Sequence, residues 1–247
     1  MSPGDDDKII KDAVSETQTT DDDEKKYNIE FIESPHKSKR TAAIDTIVIH
    51  YTAANRISST INWFKDPRAK VSAHYVIGRD GRIVQMVKDE LKAWHAGKSY
   101  FRGRRNVNNF SIGFEMVGTR ESGYTEEQYR SCVYVCSLLY EKYDISLDNI
   151  VGHEDVSGDE AVKLGIRTES NKKIDPGPKW DWGKFHQYFA ELMNTSIVDD
   201  EPEPVEDKDN NVNLYTPDVM MESGVDPVPT SQIMQLIKFF MSWFGYK

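Results

Sequence analysis

The chain has 247 residues, with 31 Lys and Arg against 41 Asp and Glu, a formal net charge of -10. That length holds one sizeable domain with its own core, or two small ones. The acidic balance excludes a general nucleic-acid binder, which needs a surplus of cations against phosphate.

The acidity is uneven. Asp5, Asp6 and Asp7 and the run Asp21 to Glu24 load the first 26 residues, which are polar and aperiodic and read as a disordered tail. That tail has no charged stretch followed by an apolar run, so no secretory signal is expected. No run is long enough to span a membrane. Synthesis and folding in a reducing cytoplasm are the expectation.

Order is expected from Tyr27. Ile44 to His50 is a short aliphatic, β-branched run and reads as a buried strand. Ile57, Ile61 and Phe64 recur at helical spacing, and Pro67 stops that helix. Ser72–Gly78 and Arg82–Val87 are strand-like runs joined through Arg79-Asp80-Gly81, a hairpin signal. The Gly- and Arg-rich stretch from Trp94 to Asn109 is too long to be a mere connection. Ser111 to Val117 alternates, with Ile112, Phe114 and Met116 on one face and Ser111, Gly113 and Glu115 on the other.

Thr125-Glu126-Glu127-Gln128 has the pattern of a capping box, and Tyr129, Cys132, Val133, Cys136, Leu139 and Tyr143 follow as one apolar helical stripe. Cys132 and Cys136 read as reduced core thiols on that stripe. Asn149 to Gly152 reads as a short strand and Trp182 to Met193 as a closing helix. Mixed strands and helices with an internal hairpin predict an α/β or α+β sheet covered by helices. Residues 195–230 are acidic and contain several prolines, as a linker does. Residues 231–247 place Ile233, Leu236, Phe240 and Trp243 on one side of a helix and Gln232, Gln235 and Lys238 on a narrow polar edge. That helix is expected to dock, on its own domain, on a protein partner such as a virion component, or least of all on a membrane, since it carries few cations.

Three residues stand out for chemistry. Asp175 begins Asp-Pro-Gly-Pro, a corner that Pro176 and Pro178 stiffen and Gly177 allows to turn. His50 ends one apolar run and His153 another. Two imidazoles and a carboxylate, with a fourth position left to water, form the ligand set of a hydrolytic zinc site. Lys173 stands two residues before Asp175.

The segments Ser72-Ala73-His74-Tyr75-Val76-Ile77-Gly78-Arg79-Asp80-Gly81, Ala93-Trp94-His95-Ala96-Gly97, Asn109-Phe110-Ser111-Ile112-Gly113-Phe114-Glu115 and Asp175-Pro176-Gly177-Pro178 occur in that order. Together they resemble the zinc N-acetylmuramoyl-L-alanine amidases, a family shared with amidase-type bacteriophage lysozymes and peptidoglycan recognition proteins. Gly103-Arg104 and Phe185 point to its AmpD-like branch, which cuts muropeptides. The resemblance covers roughly residues 28 to 194 and implies a single mixed sheet flanked by helices over residues 27–194. It implies that His50, His153 and Asp175 bind Zn2+, that Glu115 and Lys173 are the catalytic pair, and that His74, Trp94, His95 and Arg104 line the substrate groove. Zinc would acidify water and polarise the scissile carbonyl, Glu115 would carry the proton, and Lys173 would stabilise the oxyanion.

One departure stands out. His153 and Asp175 lie 22 positions apart (175 minus 153), more than in the family, and the extra residues, about Ser157 to Asn171, are expected to cover or reshape the groove. The implied activity is hydrolysis of the muramoyl–L-alanine amide in peptidoglycan or muropeptides. The acidic extensions favour bacteriophage-type wall degradation and virion association over cytoplasmic recycling of wall fragments. A recognition module that binds peptidoglycan without chemistry is the rival from another class.

Overall fold

The computed structural model describes residues 27–198, with side chains to 193. The tail at residues 1–26, most of the linker and the docking helix at 231–247 lie outside the described residues.

Ten strands are formed among the described residues: β1 (Ile29–Phe31), β2 (Lys37–Lys39), β3 (Thr46–Tyr51), β4 (Tyr75–Ile77), β5 (Ile83–Gln85), β6 (Leu91–Ala93), β7 (Tyr100–Phe101), β8 (Arg104–Arg105), β9 (Ser111–Met116) and β10 (Ile150–Gly152). The helices are α1 (Ile57–Lys65), α2 (Glu126–Tyr143), α3 (His153–Ser157), α4 (Asp159–Lys163) and α5 (Trp182–Val198). Six strands make one mixed sheet in the order β1-β5-β4-β9-β3-β10, as expected for this fold class. Strands β4, β9, β3 and β10 run parallel to one another, while β5 is antiparallel to β4 through the expected hairpin.

The alternation in β9 sorts the two faces. Ile112, Phe114 and Met116, with Ile47 and Ile49 of β3, face Cys132, Val133, Cys136 and Leu139 of α2 and Phe185 and Phe189 of α5. Leu- and Phe-sized side chains buried this way contribute roughly 1.5–3 kcal/mol each relative to exposure, so this layer holds the fold. On the other face, Ile61 and Phe64 of α1 pack on Val76, Val84 and Val117. Val48 is covered there by Ala96, Val107, Phe110 and Val156.

The helix starting after Thr125 carries the expected capping box: the Thr125 hydroxyl accepts from the Gln128 N–H, and the Gln128 side chain accepts from the Thr125 N–H. Cys132 and Cys136 are free, buried thiols with their sulfurs 4.0 Å apart. The long 94–109 stretch does carry structure of its own, since β7 and β8 pair within it. No described helix is long and apolar enough to cross a membrane.

Candidate metal centre

The parallel register delivers the site. His50, next to last in β3, lies opposite Glu115 of β9, so both side chains leave the sheet on one face. Gly152 of β10 pairs with Ile49, which brings the next residue, His153, beside His50, with ring centroids 4.3 Å apart. His153 does not end a strand as expected. It is the first residue of α3, because β10 stops at Gly152 and the Asp155 carboxylate accepts the Gly152 N–H to start the helix.

The third arm comes from the Asp-Pro-Gly corner. Gly177 takes a left-handed φ of 75°, and the Tyr124 hydroxyl holds the Pro176 carbonyl at 2.8 Å. The corner lies hard against β10: a Cβ on Gly152 would meet Pro176 Cδ at 2.7 Å, so only glycine admits it. The Asp175 carbonyl accepts the Glu154 N–H at 2.9 Å, which anchors the corner to α3.

One ligand atom each from His50, His153 and Asp175 lie within 4.8 Å of one another. Asp175 Oδ2 is 3.2 Å from His50 Nδ1 and 3.0 Å from His153 Nδ1. His50 and His153 are 2 % and 4 % exposed. Burial, and next the neighbouring His153, hold His50 down to about 4, so it is neutral at physiological pH and has a lone pair to give. Two imidazoles and a carboxylate converging from a buried wall suit Zn2+. The extra segment does not supply a competing donor, since Asp159 is an exposed partner of Lys172.

Glu115 stands beside this triad. Its Oε2 is buried with no hydrogen-bond donor among the described residues. Burial, reinforced by the Asp175 carboxylate, pushes it well above the usual carboxylate range, and Lys173 pulls the other way. Lys173 is exposed, its N–H tied to the Ser157 carbonyl at 2.9 Å, and its charge reaches both Glu115 and His50.

Of the four residues expected to line the groove, two are engaged elsewhere. His74 is fully buried: its Nδ1 accepts the Gly113 N–H at 2.9 Å and its Nε2 donates to the Leu91 carbonyl at 3.0 Å. Burial and the adjacent Arg40 hold it down to about 3. It acts as a structural histidine, sealed just ahead of β4 with both ring nitrogens engaged by backbone groups. Arg104 closes one fork on Asp45 at 2.8 and 3.0 Å and lies 3.7 Å over the Phe110 ring, an exposed pairing that engages two of its five N–H donors. Trp94 is partly exposed and donates to the Ser38 hydroxyl. His95 lies inside the metal centre, its Nδ1 3.0 Å from His50 Nε2.

Residues that the sequence reading passed over hold these in place. Asn108 Oδ1 accepts the N–H groups of His95 and Ala96. The Ala96 carbonyl takes His153 Nε2 at 3.3 Å, the Ser157 hydroxyl and the Arg167 guanidinium. Arg167 belongs to the extra segment, which thus folds back on the loop behind His153. The one available signal was the Ser111, Gly113, Glu115 face of β9, two small residues leading to a carboxylate in a buried strand.

Residues 40–178 match the N-acetylmuramoyl-L-alanine amidase family. The chain is 34 % identical over 174 residues to the 1,6-anhydro-N-acetylmuramyl-L-alanine amidase AmpD of Haemophilus influenzae, covering 62 % of this chain and 88 % of the relative. It is 41 % identical over 128 residues to the AmpD of Enterobacter cloacae, covering 52 % of this chain and 62 % of the relative. The chain therefore spans somewhat less than two thirds of that relative's length. A crystal structure of a selenomethionine AmpD derivative superposes with a TM-score of 0.56 at 31 % identity, covering 65 % of this chain and 93 % of that one.

Proposed function

Because the chain belongs to the N-acetylmuramoyl-L-alanine amidase family, we propose that it is a zinc-dependent hydrolase of the amide between N-acetylmuramic acid and L-alanine. The observation that carries this reading is the convergence of His50, His153 and Asp175 beside a buried carboxyl with a free oxygen. A recognition module needs neither.

His50, His153 and Asp175 would hold Zn2+, which supplies Lewis acidity to an unreactive amide and acidifies water near it. Glu115 takes the proton from the attacking water at Oε2, the oxygen with no competing donor, and returns it to the departing amine. Its raised affinity for a proton suits both halves of that cycle. Lys173, exposed and close enough for its charge to reach Glu115 and His50, would lend positive charge to the developing oxyanion. Trp94, partly exposed beside His95, and the exposed Arg104 are the groove residues that remain open to substrate.

Relatives named as 1,6-anhydro-N-acetylmuramyl-L-alanine amidases make soluble anhydromuropeptides the first substrate to test, ahead of intact wall. The assay is amine release from purified muropeptides and from intact sacculi, each with and without a chelator. Chelator-sensitive release from muropeptides is expected. Equal release from metal-free protein removes the zinc mechanism, and faster release from sacculi favours bacteriophage-type wall degradation instead.

A further inference from the structure

We propose that His95 is a positioning residue which, backed by Ser111, fixes the tautomer of His50 so that Nδ1 faces the metal position as a bare lone pair. The inference rests on the metal-site reading above and names how this chain prepares the site.

The proton assignment follows from the end of the chain of contacts. The Val107 carbonyl can only accept, and it takes the single Ser111 hydroxyl proton at 2.8 Å. Ser111 Oγ is then an acceptor for its other neighbour, His95 Nε2, at 3.1 Å. A neutral His95 with its proton on Nε2 has a bare Nδ1, and that atom faces His50 Nε2 at 3.0 Å. His50 must therefore carry its proton on Nε2, which leaves Nδ1 bare toward Asp175. Reversing a link behind His50 sets two protons or two lone pairs against each other. At the far end the same assignment leaves the bare Nδ1 atoms of His50 and His153 facing an Asp175 oxygen at 3.2 and 3.0 Å, lone pair to lone pair, which a cation between them resolves.

The backbone is shaped for this relay. A Cβ on Gly113 would lie 2.4–2.7 Å from the His95 ring, so glycine in the middle of β9 is what lets the imidazole lie flat on the strand. Ser111 and Gly113 share the face that carries Glu115. Asn108 fixes the His95 backbone, and through the neighbouring Ala96 carbonyl the same loop sets the second ligand: His153 Nε2 can only donate to it, which again leaves Nδ1 bare. One loop thus presents both imidazoles in the same tautomer, which lowers the cost of organising the ligands when the ion arrives.

The test uses the full chain in metal-free form, with two readouts: the imidazole nitrogen tautomers by 15N NMR, and Zn2+ affinity by competition with a chromophoric chelator. The expected parent spectrum shows His50 protonated on Nε2. Ser111→Ala and His95→Leu are expected to bind Zn2+ about 10–100-fold more weakly, with the His50 tautomer mixed. His95→Asn, whose carbonyl oxygen sits near the lost Nδ1, is expected to restore most of the affinity. Rescue by Asn separates tautomer control from simple packing, which Leu preserves better. A parent His50 protonated on Nδ1, or equal affinity across all variants, overturns the relay. If the parent binds no Zn2+, the metal reading fails, and the parent tautomer still decides whether the relay exists.

Discussion

Arg40 is the side chain on which the loops behind the site depend, and its removal has a calculable cost. It is 9 % exposed, and its guanidinium donates to the carbonyls of Asp89, Leu91, Asn108 and Ser111 at 2.9–3.3 Å. Burial lowers it to about 10, which still leaves it charged at neutral pH. Arg40→Leu removes all four donations; the carbonyls of Asp89, Asn108 and Ser111 lose theirs outright, while that of Leu91 keeps the His74 Nε2–H. Taking about 1 kcal/mol for each of the three, the low end for an unsatisfied buried group, the loss is roughly 3 kcal/mol. That is a large share of the roughly 5–15 kcal/mol that stabilises a domain. At about 2–4 °C per kcal/mol for a domain of this size, the melting temperature should fall by roughly 6–12 °C. Arg40→Lys keeps the charge but lacks the planar fork, so about half the loss is expected. Thermal melts by circular dichroism, paired with guanidinium titrations, read both. An Arg40→Leu protein that melts within about 3 °C of the parent would show that the four contacts carry no net weight.

The remaining predictions concern the site and its pH response. Glu115→Gln should keep its zinc, measured by atomic absorption, and lose at least ~100-fold in turnover, since it changes the proton path and no ligand; parent-like rates would sink the assigned role. Asp175→Ala should lose the metal while Asp159→Ala keeps it, and the opposite pattern would move the third ligand into the extra segment. For acid stability, His74 is held at about 3 in the fold against about 6.5 unfolded, so the neutral form is favoured by folding. Its contribution is complete above pH 6.5 and is lost as pH falls from there toward 3, up to about 5 kcal/mol in all. Metal-free protein should therefore melt progressively lower on acidification, and a flat profile between pH 7 and 4 would contradict the burial of a neutral His74.

The sequence made the sheet legible wherever a short aliphatic run had only one way to be buried, as in Ile47 to Ile49 and Ile112 to Met116. The Thr125 capping box and the stripe from Tyr129 were equally plain, because helix starts and helix faces are local patterns. The three candidate ligands could be grouped from the sequence because imidazoles and a carboxylate in strand-end and turn contexts have few other uses together, and the fold does bring them within 4.8 Å of one another. What escaped was non-local. Nothing in the order of residues says that Arg104 will find Asp45, 59 positions away, or that His74 will be sealed inside rather than face a groove. Arg40 carries no local signal of its role, since its carbonyl partners lie 49 to 71 positions further along the chain. His153 shifted from strand end to helix start because a side chain, Asp155, captured the backbone one residue earlier.

Glu115 places a carboxyl where the sheet would more comfortably bury a hydrocarbon. With Oε2 beyond the reach of any described donor and the group driven toward its protonated form, the residue is a standing debit in the stability of β9. A Leu or Met there would remove that debit and, on the proposed function, all turnover with it. Stability and activity therefore point in opposite directions at one position in the centre of the sheet. An engineering search that ranked variants by melting temperature alone would be drawn to this residue early, and would converge on a sturdier protein that no longer cuts its substrate.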